Sequence, residues 1–245
     1  AKQAIEITPP DDLITSTETA KFYEKMTERV CRAMDDPNAN LSLALIEYMQ
    51  DQLIFGTSGV GAENGDESLL LFKPYGVKEM YIDEGRHGRV SDIYLCFNWP
   101  VKRVVDEYGL DNVSETTRQK YQQNKWYETV EVLIIITPRT EYKAEEGVLA
   151  MPYMSLHMES KTDKKLKESG FSELPIKVGR FKKLNYEKYG RSPGMDALPD
   201  IKEANVLREA IIVATEKNLD PPLGILDDGM LGGGTVDTSA GAINV

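Results

Sequence analysis

The sequence predicts an α+β fold, with mixed helices, an antiparallel-rich sheet and one long helix near the C-terminus. Apolar residues recur at helical spacing early in the chain, for example at Phe22, Met26 and Val30. The middle of the chain alternates short β-rich segments with turn residues, a pattern typical of antiparallel strands. Helical spacing returns from Asp196 to Asn218, where no strand signal interrupts it.

Two helices are predicted after an extended N-terminal segment, residues 1–11. Thr17 is a suitable N-cap for the first helix, which Asp35-Asp36-Pro37 ends. Asn40 caps the second helix, whose apolar side continues to Gln52. A loop is then predicted at three closely spaced glycines, Gly56, Gly59 and Gly61.

The middle of the chain is predicted to form a sheet with two short helices. Glu84–Gly88 is a predicted hairpin turn, and Pro100 suits the first turn of a helix through Tyr108. A polar, exposed helix is predicted from Ser114 to Gln123. The continuous apolar run Val132–Ile136 predicts a strand buried on both faces. The predicted strands are 69–72, 77–82, 90–97, 129–136, 151–159 and 174–181.

The last predicted helix, Asp196–Asn218, carries an apolar stripe with Pro199 near its first turn. Pro221-Pro222 ends it, and a Gly-rich tail without a closing element follows. The lack of an initial methionine and the weakly patterned tail lead us to expect a piece cut from a longer chain. The stripe consists of Ile201, Ala204, Leu207, Ile211 and Ala214.

Composition excludes two simple functions. The chain has 29 Lys and Arg against 40 Asp and Glu, a net charge of −11, whereas a protein that grips DNA phosphates needs a basic surface. The longest apolar run, Val132–Ile136, is far shorter than the roughly 20 residues of a membrane helix, so no membrane partner is expected. Cys31 and Cys96 form no ligand spacing and are expected to be reduced thiols.

The charge is distributed unevenly along the chain. Residues 1–70 hold 5 basic and 13 acidic residues, whereas residues 160–191 hold 10 basic and 4 acidic residues. An acidic body with one basic segment favours contact between unlike surfaces of neighbouring subunits. A solvated lysine-rich hairpin is the alternative interpretation of the same segment.

No motif for catalysis or for cofactor binding is found in the sequence. The two histidines, His87 and His157, lack a nucleophile motif, and no zinc or calcium spacing occurs. The glycines of Gly56–Gly61 lack the lysine of a phosphate-binding loop. We therefore expect no enzyme activity, no metal and no cofactor. The alternative is a soluble α+β enzyme or ligand-binding domain of an unrelated family, with its site at Gly56–Gly61.

One stretch of sequence resembles a known family. Residues 164–181 are followed by Tyr186-Glu187-Lys188-Tyr189-Gly190-Arg191-Ser192-Pro193-Gly194 and then by Asp196-Ala197-Leu198-Pro199-Asp200-Ile201-Lys202. This order resembles the portal proteins of tailed phages, in particular the head-to-tail connecting family of short-tailed phages. Asn205 matches the family asparagine, whereas Ala204 stands where leucine is common. Weaker similarity extends over about residues 18–225, including Gln50–Ser58 and Tyr81–Phe97.

The resemblance implies a non-enzymatic subunit of a dodecameric ring with a central DNA channel, truncated here at both ends. Residues 1–190 would form the wing domain, 191–219 the first stem helix with the turn that leads into it, and 220–245 the start of the clip. The implied partners are other copies of the chain, the packaging motor (terminase), scaffold and capsid proteins, a tail adaptor and transient DNA. The implied location is the portal vertex of the virion, assembled in the host cytoplasm.

The resemblance also suggests roles for individual residues. The apolar stripe of the long helix would pack against stem helices and neighbouring subunits. Lysines of the basic segment, Lys164, Lys165 and Lys167, would meet an acidic neighbouring surface. The candidate channel-facing residues are Lys202, Glu203, Arg208, Glu209, Glu216 and Lys217.

Overall fold

The computed structural model describes residues 5–8, 17–65, 67–140, 147–224, 237 and 239–244. The chain forms two compact units, residues 1–193 and 194–245. The described residues form helices together with two antiparallel sheets and one long helix near the C-terminus, which confirms the predicted α+β class. The Gly-rich segment 225–236 of the predicted clip lies outside the described residues, as do residues 1–4 and 9–11 of the predicted N-terminal segment.

Up to the long helix, the element order follows the prediction except at Thr57–Glu63 and Lys164–Phe171, two strands that the sequence did not predict. The helices are α1 (Thr17–Met34), α2 (Leu41–Phe55), α3 (Val101–Tyr108), α4 (Glu115–Gln122) and α5 (Pro193–Leu219), with 3-10 turns at Pro37–Ala39 and Gly147–Ala150. The strands are β1 (Thr57–Glu63), β2 (Leu71–Gly76), β3 (Met80–Glu84), β4 (Val90–Pro100), β5 (Thr129–Pro138), β6 (Tyr153–Glu159), β7 (Lys164–Phe171), β8 (Ile176–Arg180), β9 (Leu223–Gly224) and β10 (Ile243–Asn244).

A five-stranded antiparallel sheet, in the order β3-β4-β5-β6-β7, forms the centre of the first unit. Its inner face carries Ile93, Leu95 and Val132, which are all buried. Helix α3 packs on this core through one buried side of the helix, which consists of Val101, Val104, Val105 and Tyr108.

A second sheet, in the order β2-β1-β8, shares the same core through Tyr75 and Ile176. Helix α2 packs on β1 and β2. Pro74 lies within β2, an edge strand, where a missing N–H is tolerated. The predicted strands 69–72 and 77–82 are therefore displaced in the structure, because β2 continues through Pro74 to Gly76 and a turn separates it from Met80.

The prediction that β5 is buried on both faces is wrong for one face. Val132, Ile134 and Ile136 are buried, whereas Leu133 and Ile135 on the opposite face are half-buried. The difference arises because α3, α4 and the second sheet all contribute to the same side of the large sheet.

Strand β6 turns its polar side toward the interior. Glu159 is 2% exposed, and its carboxylate accepts hydrogen bonds from the Ser114 N–H at 2.9 Å and the Ser114 hydroxyl at 2.6 Å. The Thr117 and Thr162 hydroxyls donate to the same carboxylate at 3.0 and 3.3 Å. Ser114 is also the N-cap of α4, so this carboxylate fixes the start of that helix to the sheet.

We expect Glu159→Ala to lower the free energy of unfolding by about 2–4 kcal/mol, because it leaves the donors of Ser114 and Thr117 buried without an acceptor. Urea unfolding of the purified chain measures the change. The control is Glu173→Ala, which removes an exposed carboxylate 3.7 Å from Lys177 and should change the free energy by less than about 0.5 kcal/mol. Equal losses in the two variants would contradict the role given to Glu159.

Candidate assembly surfaces

Helix α5 is the most exposed element of the described chain. It has 27 residues, none of them buried, and at a rise of 1.5 Å per residue it is about 40 Å long. Its five predicted stripe residues are all exposed, with Ile201, Leu207 and Ile211 about half to two thirds accessible. Exposed apolar surface of this extent is typical of an interaction site.

The apolar surface of α5 is wider than the predicted stripe. Val206, Ile212 and Val213 are also exposed, and they lie on other sides of the helix. The sequence indicates this wider apolar surface in the run Ile211-Ile212-Val213, because three successive residues on a helix point in three directions. The prediction of one stripe missed these residues.

The six predicted channel-facing charges form three adjacent pairs of opposite sign along α5. All are exposed except the half-buried Lys217. The pairs lie near the start, the middle and the end of the helix, and Asp196 and Asp200 add negative charge at its start, so α5 as a whole has five acidic and three basic residues. The pairs are Lys202 with Glu203, Arg208 with Glu209, and Lys217 with Glu216.

Helix α5 begins three residues before the predicted start. Pro193 occupies its first position, where the missing N–H costs nothing. Pro199 consequently lies in the second turn rather than the first, where its missing N–H removes one backbone hydrogen bond.

The turn before α5 joins three elements of the first unit. The Ile82 N–H of β3 donates to Tyr189 Oη at 3.2 Å, and the Gly190 N–H donates to Thr57 Oγ1 of β1 at 2.7 Å. The Ser192 hydroxyl donates to the Ile54 carbonyl of α2 at 2.7 Å. The turn Tyr189–Ser192 is therefore held by side chains and backbone groups more than a hundred residues away in sequence.

The predicted glycine loop is wrong, because Thr57–Glu63 forms strand β1 at the centre of the smaller sheet. Gly56 has φ of +77°, and a methyl group there would overlap the carbonyl oxygen of Gly190. At Gly59 a methyl group would lie 2.8 Å from Met80 Sδ and 2.9 Å from Ile176 Cγ2. These glycines permit close packing, so the ligand site of the alternative hypothesis is not present there.

The three lysines of the predicted intersubunit segment lie on β7, an edge strand. Lys164 and Lys167 are exposed, whereas Lys165 Nζ lies 2.5 Å from Glu168 Oε2. Further along the basic segment, Arg180 and Lys183 pair with Glu84 of the same chain. Lysines on an edge strand also discourage strand addition by other chains, so intersubunit contact stays a prediction for them.

The His157 side chain belongs to a hydrogen-bonded group on the inner side of β6. Its Nδ1 lies 2.7 Å from Tyr108 Oη, and its Nε2 lies 3.2 Å from Ser155 Oγ. Burial, with a smaller effect from Lys167, lowers the pKa of His157 to about 4, so the ring is neutral near pH 7. Ser155 is only 1% exposed and could not meet a substrate, although it lies beside a histidine.

Among the residues that the structure describes, no group of three His, Cys, Asp or Glu side chains is placed to hold a metal ion. None of the helices described has both the length and the apolar character needed to span a membrane.

Comparison with known proteins identifies the family. The family model for the bacteriophage head to tail connecting protein matches residues 6–245. The chain belongs to this family. It is 28% identical over 222 residues to the portal protein of Salmonella phage epsilon15, an alignment that covers 88% of this chain and 39% of the relative. It is 26% identical over 190 residues to the probable portal protein of Bordetella phage BPP-1, covering 76% and 34%.

The family resemblance seen in the sequence is thus confirmed. The chain spans about two fifths or less of the length of these relatives. The most specific part of the resemblance, the Tyr189–Pro193 segment, corresponds to the turn that is bonded to β1, β3 and α2. The segment Leu198–Lys202 lies within α5.

We expect Gly56→Ala to destabilise the protein by about 2–4 kcal/mol, because the added methyl group meets the backbone of Gly190 and the residue keeps a positive φ. Gly88→Ala is the matched control: Gly88 also has a positive φ, but its methyl group would meet only the flexible end of Lys183. The control should lose about 1–2 kcal/mol. Chemical denaturation checks both, and equal losses would argue against the close contact.

Proposed function

We propose that this chain is the wing and first stem helix of a phage portal subunit. In this proposal residues 1–190 form the wing domain, 191–219 the stem helix with its preceding turn, and 220–245 the start of the clip. The complete subunit assembles into a dodecameric ring at the capsid vertex, through which DNA enters during packaging and leaves during ejection.

The observation that carries the proposal is the exposure of α5. A helix of 27 residues with apolar side chains on several sides and no buried residue gains little stability from its own chain. Such a helix needs a partner surface along its length. Stem helices of a ring supply that surface by packing side by side, and the family membership of the chain supports this interpretation.

The proposed partners follow from the same role. Other copies of the chain form the ring, the terminase motor and the tail adaptor dock on it in turn, and scaffold and capsid proteins surround it. The two relatives are a portal protein and a probable portal protein, which supports this assignment. The subunit would be a component of the virion, assembled in the host cytoplasm.

The proposed subunit catalyses no reaction and uses no cofactor. A portal guides DNA mechanically, while ATP hydrolysis belongs to a separate motor protein. The burial of Ser155 beside His157 and the packing role of Gly56 and Gly59 support this interpretation over the enzyme alternative.

Assembly of the full-length subunit tests the stem assignment. We expect Ile211→Asp to lower the ring fraction at least tenfold in light-scattering mass measurements, because it places a charge in an apolar contact. Asn205→Asp adds the same charge at an exposed polar position of α5 and should assemble normally.

Circular dichroism should show equal helix content in the two variants. Rings of normal mass from Ile211→Asp would overturn the role given to α5.

The conduit role predicts that DNA does not adhere to the protein. The chain carries −11 overall and α5 has five acidic and three basic residues, so neither offers a basic track for phosphates. We expect no gel shift of a short duplex by this chain at low-micromolar concentration and about 150 mM salt. The control changes Glu203, Glu209 and Glu216 to Lys, which should create a basic helix and a clear shift. Binding by the unmodified protein would contradict the conduit.

A further inference from the structure

Helix α2 presents an apolar face that the described residues leave uncovered. Its other side packs inward, with Ala44 fully buried and Tyr48 over Gly179 of β8. The helix contains no Lys or Arg, and Glu47 is its one exposed charge within the described residues. The uncovered face consists of side chains that are each more than half exposed, namely Leu43, Ile46, Met49, Leu53 and Ile54.

Helix α1 has an apolar side that is also uncovered. The N-terminal segment 5–8 packs along part of it, where the Ile7 N–H donates to the buried Thr27 at 3.0 Å. Phe22 and Met26 beside it remain 59% and 39% exposed. Among the described helices and strands, none packs extensively against α1.

The charges of the two faces are complementary. Four basic residues of α1 are spaced four, four and three residues apart, so they lie along one side of the helix, next to Phe22 and Met26. The same side carries Glu18 and Glu28, the latter 3.6 Å from Arg32, so its net charge is +2. The single exposed charge of α2, Glu47, is acidic. An apolar and basic surface therefore faces the solvent on α1, and an apolar and acidic surface on α2. The four basic residues are Lys21, Lys25, Arg29 and Arg32.

The junction between the two helices keeps them apart within one chain. The Asp36 side chain accepts a hydrogen bond from the Asn38 N–H at 2.9 Å, and Ala39 is fully buried. Asn40 Nδ2 donates to the Phe72 carbonyl of β2 at 3.3 Å. Because this short connection is fixed to the second sheet, α1 has little freedom to fold back on α2.

We propose that α1 of one copy packs against the uncovered face of α2 in a neighbouring copy. A second copy is the occupant because each chain carries both complementary faces and its described residues cover neither of them. The contact joins different surfaces of the two copies, and repetition of such a head-to-tail contact closes a ring when the rotation permits. This inference rests on the proposed ring and assigns one of its interfaces.

Cysteine cross-linking between two differently tagged full-length subunits tests the proposed contact between α1 and α2. One subunit carries Met26→Cys and the other Ile46→Cys, with Cys31→Ser and Cys96→Ser in both. Mild oxidation of the mixed assembly should give at least ten times more cross-linked heterodimer than a mixture with Glu24→Cys, which is exposed on the side of α1 opposite Met26.

Rings of normal mass without the cross-linked heterodimer would overturn the proposed contact between α1 and α2 but would not contradict the proposed function. A cross-link formed only within a chain carrying both cysteines would overturn the contact as well. Failure of the unmodified subunit to form rings would instead count against the proposed function itself.

Charge reversal gives an independent measurement if the cysteine variants assemble poorly. Glu47→Lys should lower the ring fraction at least threefold, because its charge then matches that of the basic side of α1. Adding Lys25→Glu and Arg29→Glu to the same chain should restore assembly. A ring fraction unchanged by Glu47→Lys, or not restored by the reversed pair, would overturn the proposal.

Discussion

The close approach of two backbone segments, at Gly56 and Gly190, is the constraint on which the first unit depends. The space between them admits no side chain at Gly56, and the Phe181 N–H donates to the Gly56 carbonyl at 2.9 Å. This contact brings the end of α2, the start of β1 and the turn before α5 to one place. The hydrogen bonds of Thr57 and Ser192 then fix that turn. The Tyr189–Pro193 segment, the most specific part of the family resemblance, therefore has a packing role rather than a reactive one.

Buried polar groups determine the orientation of β6 in the large sheet. Its apolar residues Met154, Leu156 and Met158 lie on the half-buried outer face, while Ser155 and Glu159 are buried. Hydrophobicity alone favours the reverse arrangement. Glu159 is stable inside because four donors surround its carboxylate, and a buried charge with full hydrogen bonding costs far less than an unpaired one. Because Ser155 and Glu159 face the interior, the apolar residues that alternate with them must face outward.

The sequence predicted the elements whose signals are local. The periodic valines of α3 and the turn at Glu84–Gly88 gave the expected helix and hairpin, and α5 differed only at its start. Strand β1 could not be predicted in this way, because glycines weaken isolated strands. Gly59 is required in this strand because the side chains of Met80 and Ile176 leave no room for a methyl group. The environment of Glu159 depends on Ser114, 45 residues away. For α5, periodicity revealed one apolar side, whereas the full extent of the exposed surface required the structure.

Electrostatics and apolar surface make opposite demands on an assembly of these chains. Copies that each carry −11 repel one another, although salt limits this repulsion to a range of about 8 Å. The basic residues of segment 160–191 offset little of it, since several already pair with Glu84, Asp83 and Glu168 of their own chain. Helix α5, with five acidic and three basic residues, shares the acidic character of the whole chain. In the proposed ring, the favourable free energy of assembly would therefore have to come mainly from burial of apolar side chains such as Leu207 and Ile211.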